Sequence, residues 1–110
     1  MSRVRYHATF LRDLRAQLGW LATHREVEWV EGLRAGLGEV VAVLATQPKR
    51  GGLEARRGTF ELRHLVLRRV PYVIWYSCGS RRDDVWLLRL FHARQGRPKP
   101  SWPRYPRLAK

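Results

Sequence analysis

Apolar and polar positions along this chain switch between a period of two and a period of three to four, and the switches mark its elements. Val4 and Tyr6 alternate with Arg3, Arg5 and His7, which predicts a strand over residues 2–7 with one buried face. From Phe10 the apolar positions are Phe10, Leu11, Leu14, Leu18 and Leu21, one side of a helix, with Thr9 placed to cap it. A second helical stripe runs through Val27, Val30, Leu33, Leu37, Val40, Val41 and Leu44, and Thr23 with Glu26 has the spacing of a capping box at its start. Two helices in close succession predict a helical hairpin.

Gly32, Gly36 and Gly38 each weaken the second helix by up to about 1 kcal/mol relative to Ala, so tertiary packing has to hold it. Gly32 and Gly36 lie one turn apart, a spacing that lets two helices approach closely. Pro48, Gly51, Gly52 and Gly58 punctuate what reads as a basic loop carrying Lys49, Arg50, Arg56 and Arg57. Three strands follow: one around Phe60, Leu62 and His64, one from Tyr72 to Cys78, and one from Val85 to Phe91. The polar stretch from Gly79 to Asp84 predicts that the last two pair as an antiparallel hairpin. The order β-α-α-β-β-β predicts an α+β fold, a helical hairpin packed on a small, mainly antiparallel sheet. This domain occupies residues 1–95. The remainder, 96–110, has Pro98, Pro100, Pro103 and Pro106 among basic residues, with no acid and no periodicity. Alone it is expected to be extended, and deletion of residues 97–110 is expected to leave thermal stability nearly unchanged.

Charge narrows the partners. Lys and Arg number 22 against 9 acids, a net +13 that favours polyanions or an acidic protein and opposes self-association. Cys78 is the single cysteine, so no internal disulfide forms, and no Cys/His spacing suits zinc; a reducing cytoplasm is the expected compartment. The charged start, Met1 to Arg5, predicts no secretion signal. The longest aliphatic piece, Val40 to Ala45, is far short of the ~20 residues of a membrane span, so no membrane association is expected. No carboxylate pair, Ser-His-Asp order or Walker-type glycine loop can be assembled, which excludes conventional hydrolases, and no cofactor is expected.

Several stretches together resemble the RelE/ParE superfamily of toxins from type II toxin-antitoxin systems, and more closely its ParE branch. Tyr6-His7-Ala8-Thr9-Phe10-Leu11-Arg12-Asp13-Leu14 is similar to that branch's strand-to-helix start. Leu44, Pro48 and Gly51 resemble the family's helix end and following loop. Leu62-Arg63, Tyr72 to Tyr76 and Leu88-Arg89-Leu90-Phe91-His92-Ala93-Arg94 resemble its three strands. The resemblance covers residues 3–95 and leaves out the segment from Gly96. It implies an acidic antitoxin as partner, a toxin-antitoxin hetero-oligomer, and one of two targets. ParE-like members poison DNA gyrase, and RelE-like members cut messenger RNA on the ribosome. The RNase members use basic residues with a Tyr or His in proton transfer, and this chain has Ala93 where several of them place a Tyr.

A metal-independent RNase needs a base for the 2′-hydroxyl, cations for the phosphorane and an acid for the leaving oxygen. His92 with Arg63, Arg69, Arg89 and Arg94 is the candidate catalytic set if the chain is an RNase. Strand parity puts His92 on one face with Trp86, Leu88 and Leu90 and Arg89 on the other, which splits the set and favours a structural His92. Arg63, Arg89, Arg94 and Trp86 are alternatively the residues that bind antitoxin or target. Trp75 and Trp86 read as core or interface anchors. A third reading is a non-catalytic nucleic-acid-binding module acting through charge alone.

Overall fold

The computed structural model describes residues 2–79 and 84–94. Its elements are β1 (Arg3–Tyr6), α1 (Ala8–His24), α2 (Val27–Thr46), β2 (Gly52–Arg57), β3 (Phe60–Val66), β4 (Tyr72–Cys78) and β5 (Asp84–His92). The strands form one sheet in the order β1-β5-β4-β3-β2. The helical hairpin carries the chain away from β1, so β1 pairs in parallel with the last strand, while every other pair is antiparallel. This is the expected α+β architecture with one strand more than expected.

That extra strand is β2, which the sequence presents as a basic loop. It is an edge strand exposed along most of its length, so it has no buried face to impose alternation, and charged residues at an edge discourage pairing with another chain. The two-residue connection Gly58-Thr59, with Gly58 at φ 59°, joins it to β3.

The caps also differ from expectation. His7, not Thr9, caps α1, its Nδ1 accepting from the Thr9 amide at 3.1 Å. The Thr9 hydroxyl instead donates to the Leu88 carbonyl at 2.8 Å and pins α1 to β5. At α2 the capping box does not form, because the Thr23 hydroxyl donates back to the Trp20 carbonyl at 3.1 Å and Glu26 makes no side-chain cap. Nor do Gly32 and Gly36 bring the helices together. A Cβ on Gly32 would sit 3.0 Å from Val70 and one on Gly36 3.4 Å from Leu67, so they admit the β3–β4 connection.

The main core lies between helices and sheet, where Phe10, Leu33 and Leu44 meet Tyr72, Ile74, Tyr76 and Leu87, all buried. A smaller cluster of Leu62, Val73, Trp75, Trp86, Leu88 and Phe91 occupies the outer face. A β-bulge distributes β5 between them. Trp75 pairs with Arg89 but Tyr76 with Leu87, so Leu88 is an extra residue on β5. Before it Leu87 belongs to the helix side, and after it Leu90 does.

Candidate functional site

The bulge overturns the parity expected of β5. Trp86 and Leu88 belong to the outer cluster, whereas Leu90 is in the helix-side core and His92 pairs with Tyr72 of that core. His92 therefore does not share a face with Trp86 and Leu88. A bulge has no signature in an apolar run such as Trp86-Leu87-Leu88, which is why alternation misplaced it.

The five candidate catalytic residues are dispersed. Arg89 is held by Asp13 of α1, with Nε donating to Oδ2 at 2.6 Å, and the same oxygen accepts the Leu90 amide at 3.0 Å. Asp13 lies within the Asp-Leu pair that closes the start of α1, and here it ties that helix to the bulged stretch of β5. Arg63 is enclosed at the opposite end of the sheet. It donates to Glu61 at 3.0 Å and to the carbonyls of Lys49 and Gly51 at 3.2 and 2.7 Å, closing the turn that follows α2. The Arg63 hydrogen bond draws the Glu61 pKa below its usual value in spite of burial. Burial opposes the Arg63 charge, but Glu61 more than offsets it and the Arg63 pKa is raised. Next to this pair the Tyr76 hydroxyl accepts the Gly51 amide at 2.8 Å, and burial pushes its pKa up to about 12. Cys78 is likewise raised by burial, which makes it an inert thiol. Arg69 pairs with Glu39 at 2.9 Å on the exposed rim of α2. Each of these three cations already has a carboxylate within the fold.

His92 and Arg94 are the two that come together. They line a cleft of about 610 Å³ with Gln17, Trp20, Arg25, Trp29 and Tyr72. The His92 ring meets the Tyr72 ring edge-on at 5.3 Å, and the Tyr72 hydroxyl donates to Gln17 at 2.9 Å. Arg25, in the break between the helices, lies 4.9 Å over Trp29. Trp20, 47% exposed, stacks on His24 at 4.6 Å. Burial lowers the His92 pKa, and the charges of Arg94 and Arg25 lower it further, so the ring is neutral near pH 7. Its Nδ1 accepts the Arg94 amide at 3.1 Å, which assigns the proton of the neutral ring to Nε2. The cleft thus offers donors and cations around an aromatic wall. It suits an anionic group better than it suits proton abstraction, because the accepting nitrogen of His92 is already engaged.

Sequence reading missed Arg25, Trp20, Trp29, Tyr72 and Gln17 as neighbours of His92. The available signal was the i, i+4 pair Trp20 and His24 with Arg25 directly after it, on the face away from the Leu14–Leu18 stripe. Trp86, the other candidate for binding, is 9% exposed in the outer cluster, with Arg5 5.7 Å over its ring. Among the described residues no cluster of His, Cys, Asp and Glu is able to hold a metal ion, and no helix is long and apolar enough to cross a membrane.

Several solved chains share the fold, among them the following three. A chain of the chromosomal ParDE toxin-antitoxin system from P. aeruginosa has a TM-score of 0.63 at 18% identity, covering 84% of this chain and 96% of its own length. One from the archaeal RelE-RelB complex of Pyrococcus horikoshii has 0.58 at 15%, covering 86% and 98%. One from the RelBE2 toxin-antitoxin complex of Mycobacterium tuberculosis has 0.52 at 22%, covering 83% and 90%. No curated protein matches the sequence. A sequence profile described as ParE toxin of type II toxin-antitoxin system, parDE, matches residues 4–97. With that match spanning most of the chain, and with helices and sheet arranged as in the ParDE relative, the chain belongs to the ParE toxin family of type II toxin-antitoxin systems.

Proposed function

We propose that this toxin acts in the cytoplasm by inhibiting DNA gyrase through protein contact, without catalysis of its own, and that an acidic antitoxin neutralises it. The observation that carries this reading is the engagement of Arg63, Arg69 and Arg89 with Glu61, Glu39 and Asp13. A phosphorane needs cations aimed at it in place, and these three are committed elsewhere. The family match supports the same target, since the ParE branch is the one the resemblance ties to gyrase. The fold alone does not decide, because the relatives that share it include RelE chains.

Expression of the chain in bacteria tests the target. The expected result is filamentation, a DNA-damage response and trapped gyrase–DNA cleavage complexes, with messenger RNA on ribosomes intact. His92→Ala then alters toxicity no more than it alters stability. A second reading, a RelE-like ribosome-dependent endoribonuclease, is favoured by one observation: His92, Arg94 and Arg25 share a cleft. Codon-phased cuts in translated messages, lost on His92→Ala with the fold intact, would establish that reading and displace the first.

The antitoxin reading is supported by the hairpin surface. Leu11, Trp20 and Val27 are 43%, 47% and 61% exposed, and Arg12, Arg15 and Arg25 are exposed around them. An amphipathic acidic segment would bury the three anchors, and its charge would speed association. Co-expression with the adjacent reading frame followed by pull-down is expected to recover a small acidic protein. Free expression without toxicity and without such a partner would contradict the proposal.

A further inference from the structure

The cleft beside His92 collects positive charge that the fold does not neutralise. Arg63, Arg69 and Arg89 each have a carboxylate partner, whereas among the described residues Arg25 and Arg94 have none. No Asp or Glu lines the cleft. The Arg25 guanidinium lies 4.9 Å over the Trp29 ring and 6.0 Å over the Trp20 ring, and neither contact supplies an oxygen acceptor for its N–H donors. Since the Tyr72 hydroxyl donates to the side-chain oxygen of Gln17 at 2.9 Å, the amide group left on Gln17 is a further donor. Both cations are felt at His92, whose pKa is lowered first by burial, then by Arg94 and Arg25. Unpaired cations that converge in a recess attract an anion.

We propose that this cleft binds a nucleoside monophosphate, with the phosphate held by Arg25 and Arg94 and the base stacked on Trp20. Size calls for more than an anion. At about 610 Å³ the cleft falls within the ~300–1,000 Å³ of small-molecule sites, far more room than a lone carboxylate or phosphate fills. The remaining room is walled by rings. His24 stacks on Trp20 at 4.6 Å with 8° between the planes, yet Trp20 stays 47% exposed, which leaves ring surface open to a planar group. Stacking on an aromatic side chain accepts every base, because each has a π face, so the site sets no preference among bases.

Charge selects a terminal phosphate over the other anions. A phosphate monoester carries about two negative charges near pH 7 and an internal phosphodiester about one. Two guanidinium groups balance the first and overcompensate the second, so a free nucleotide fits better than the interior of a nucleic-acid strand. The planar guanidinium fork also takes phosphate oxygens in pairs. A peptide carboxylate brings a single charge and no ring of its own. The site binds without making or breaking a bond, in keeping with the Nδ1 of His92 accepting the Arg94 amide at 3.1 Å. This adds a small-molecule ligand to the toxin and does not depend on which target the toxin has.

Calorimetric titration of the full chain at physiological salt, with AMP and GMP as probes, tests the site. The expected result is one mononucleotide per chain. Adenosine, ribose 5-phosphate and inorganic phosphate, each lacking the anion or the base, are expected to bind at least about tenfold more weakly. Arg25→Gln and Arg94→Gln, both at exposed positions, are each expected to weaken AMP binding about tenfold or more with Tm unchanged. Trp20→Ala is expected to weaken it about fivefold or more, and Trp20→Phe to restore part of the loss. Arg12→Gln removes an exposed cation of α1 that does not line the cleft, and is expected to leave the affinity within about twofold. No saturable binding below about 1 mM nucleotide would overturn the proposal. Equal weakening in Arg12→Gln would overturn it too, by reducing the binding to the net charge of +13. Inorganic phosphate binding as tightly as AMP would remove the stacked base and with it the nucleotide. A dinucleoside monophosphate, which has a diester but no terminal phosphate, binding as tightly as AMP would replace the nucleotide with a nucleic-acid strand.

Discussion

Asp13 ties α1 to β5, because one carboxylate accepts both the Arg89 guanidinium and the Leu90 amide beside the bulge. Asp13→Ala leaves a backbone N–H and a guanidinium unpaired, and a loss of about 1–3 kcal/mol is expected in denaturant unfolding. Asp13→Asn keeps an acceptor and is expected to cost less. Equal losses for the two substitutions would show that the side chain acts through volume alone. Glu61 and His92 each make stability depend on pH, and both act in the same direction. The lowered pKa of Glu61 in the folded chain adds stability that is complete above the unfolded carboxylate value and is lost as pH falls through the folded one. His92 is also lowered, so its neutral form is favoured by folding, and stability declines as pH drops below the imidazole's ordinary value of about 6.5. Thermal unfolding is therefore expected to show two declines on acidification. The one beginning near pH 6.5 is diminished in His92→Phe, and the one below about pH 4.5 is diminished in Glu61→Gln.

At the scale of elements, the glycines of α1 and α2 divide by what surrounds them. Gly19 and Gly38 lie inside helices with nothing within 4 Å of an added Cβ. Gly19→Ala and Gly38→Ala are each expected to raise stability by up to about 1 kcal/mol, the helix propensity difference. Gly32 abuts Val70 at 3.0 Å, so Gly32→Ala gains less or turns unfavourable. Gly79 leaves β4 at φ 94°, and an added Cβ would lie 2.3 Å from the Thr59 carbonyl. Gly79→Ala is expected to destabilise by more than about 1 kcal/mol, from left-handed strain and backbone collision together. Equilibrium unfolding of the four variants checks the ranking, and a stabilising Gly79→Ala would refute the local geometry of the β3–β4 end.

Across the whole molecule, charge and apolar surface make separate demands on binding. Net +13 drives contact with any polyanion, and such contact is expected to weaken by orders of magnitude between low and physiological salt. A complex anchored by Leu11, Trp20 and Val27 buries apolar area and is expected to lose far less over the same range. Salt titration of nucleic-acid binding and of the antitoxin complex side by side measures the two contributions. Equal salt sensitivity would reduce the antitoxin to a polyanion and remove the hairpin anchors from the account.

The helical stripes, the antiparallel hairpin of β4 and β5 and the α+β class were legible in the sequence, because burial on one face imposes a period that composition cannot hide. The ParE resemblance was legible too, since it rests on short runs in a set order along the chain. Strand β2 was not: it is solvent-exposed on most positions, so no face selects apolar residues there. The neighbours of His92 were not legible either. One bulged residue, Leu88, reverses the faces of β5, and Arg25, Tyr72 and Arg94 meet His92 only through the packing of helices on strands. The state of the arginines was likewise decided by tertiary structure. A sequence counts Arg63 and Arg89 as cations, but whether a cation is available depends on which carboxylate the fold places beside it, and here Glu61 and Asp13 take them.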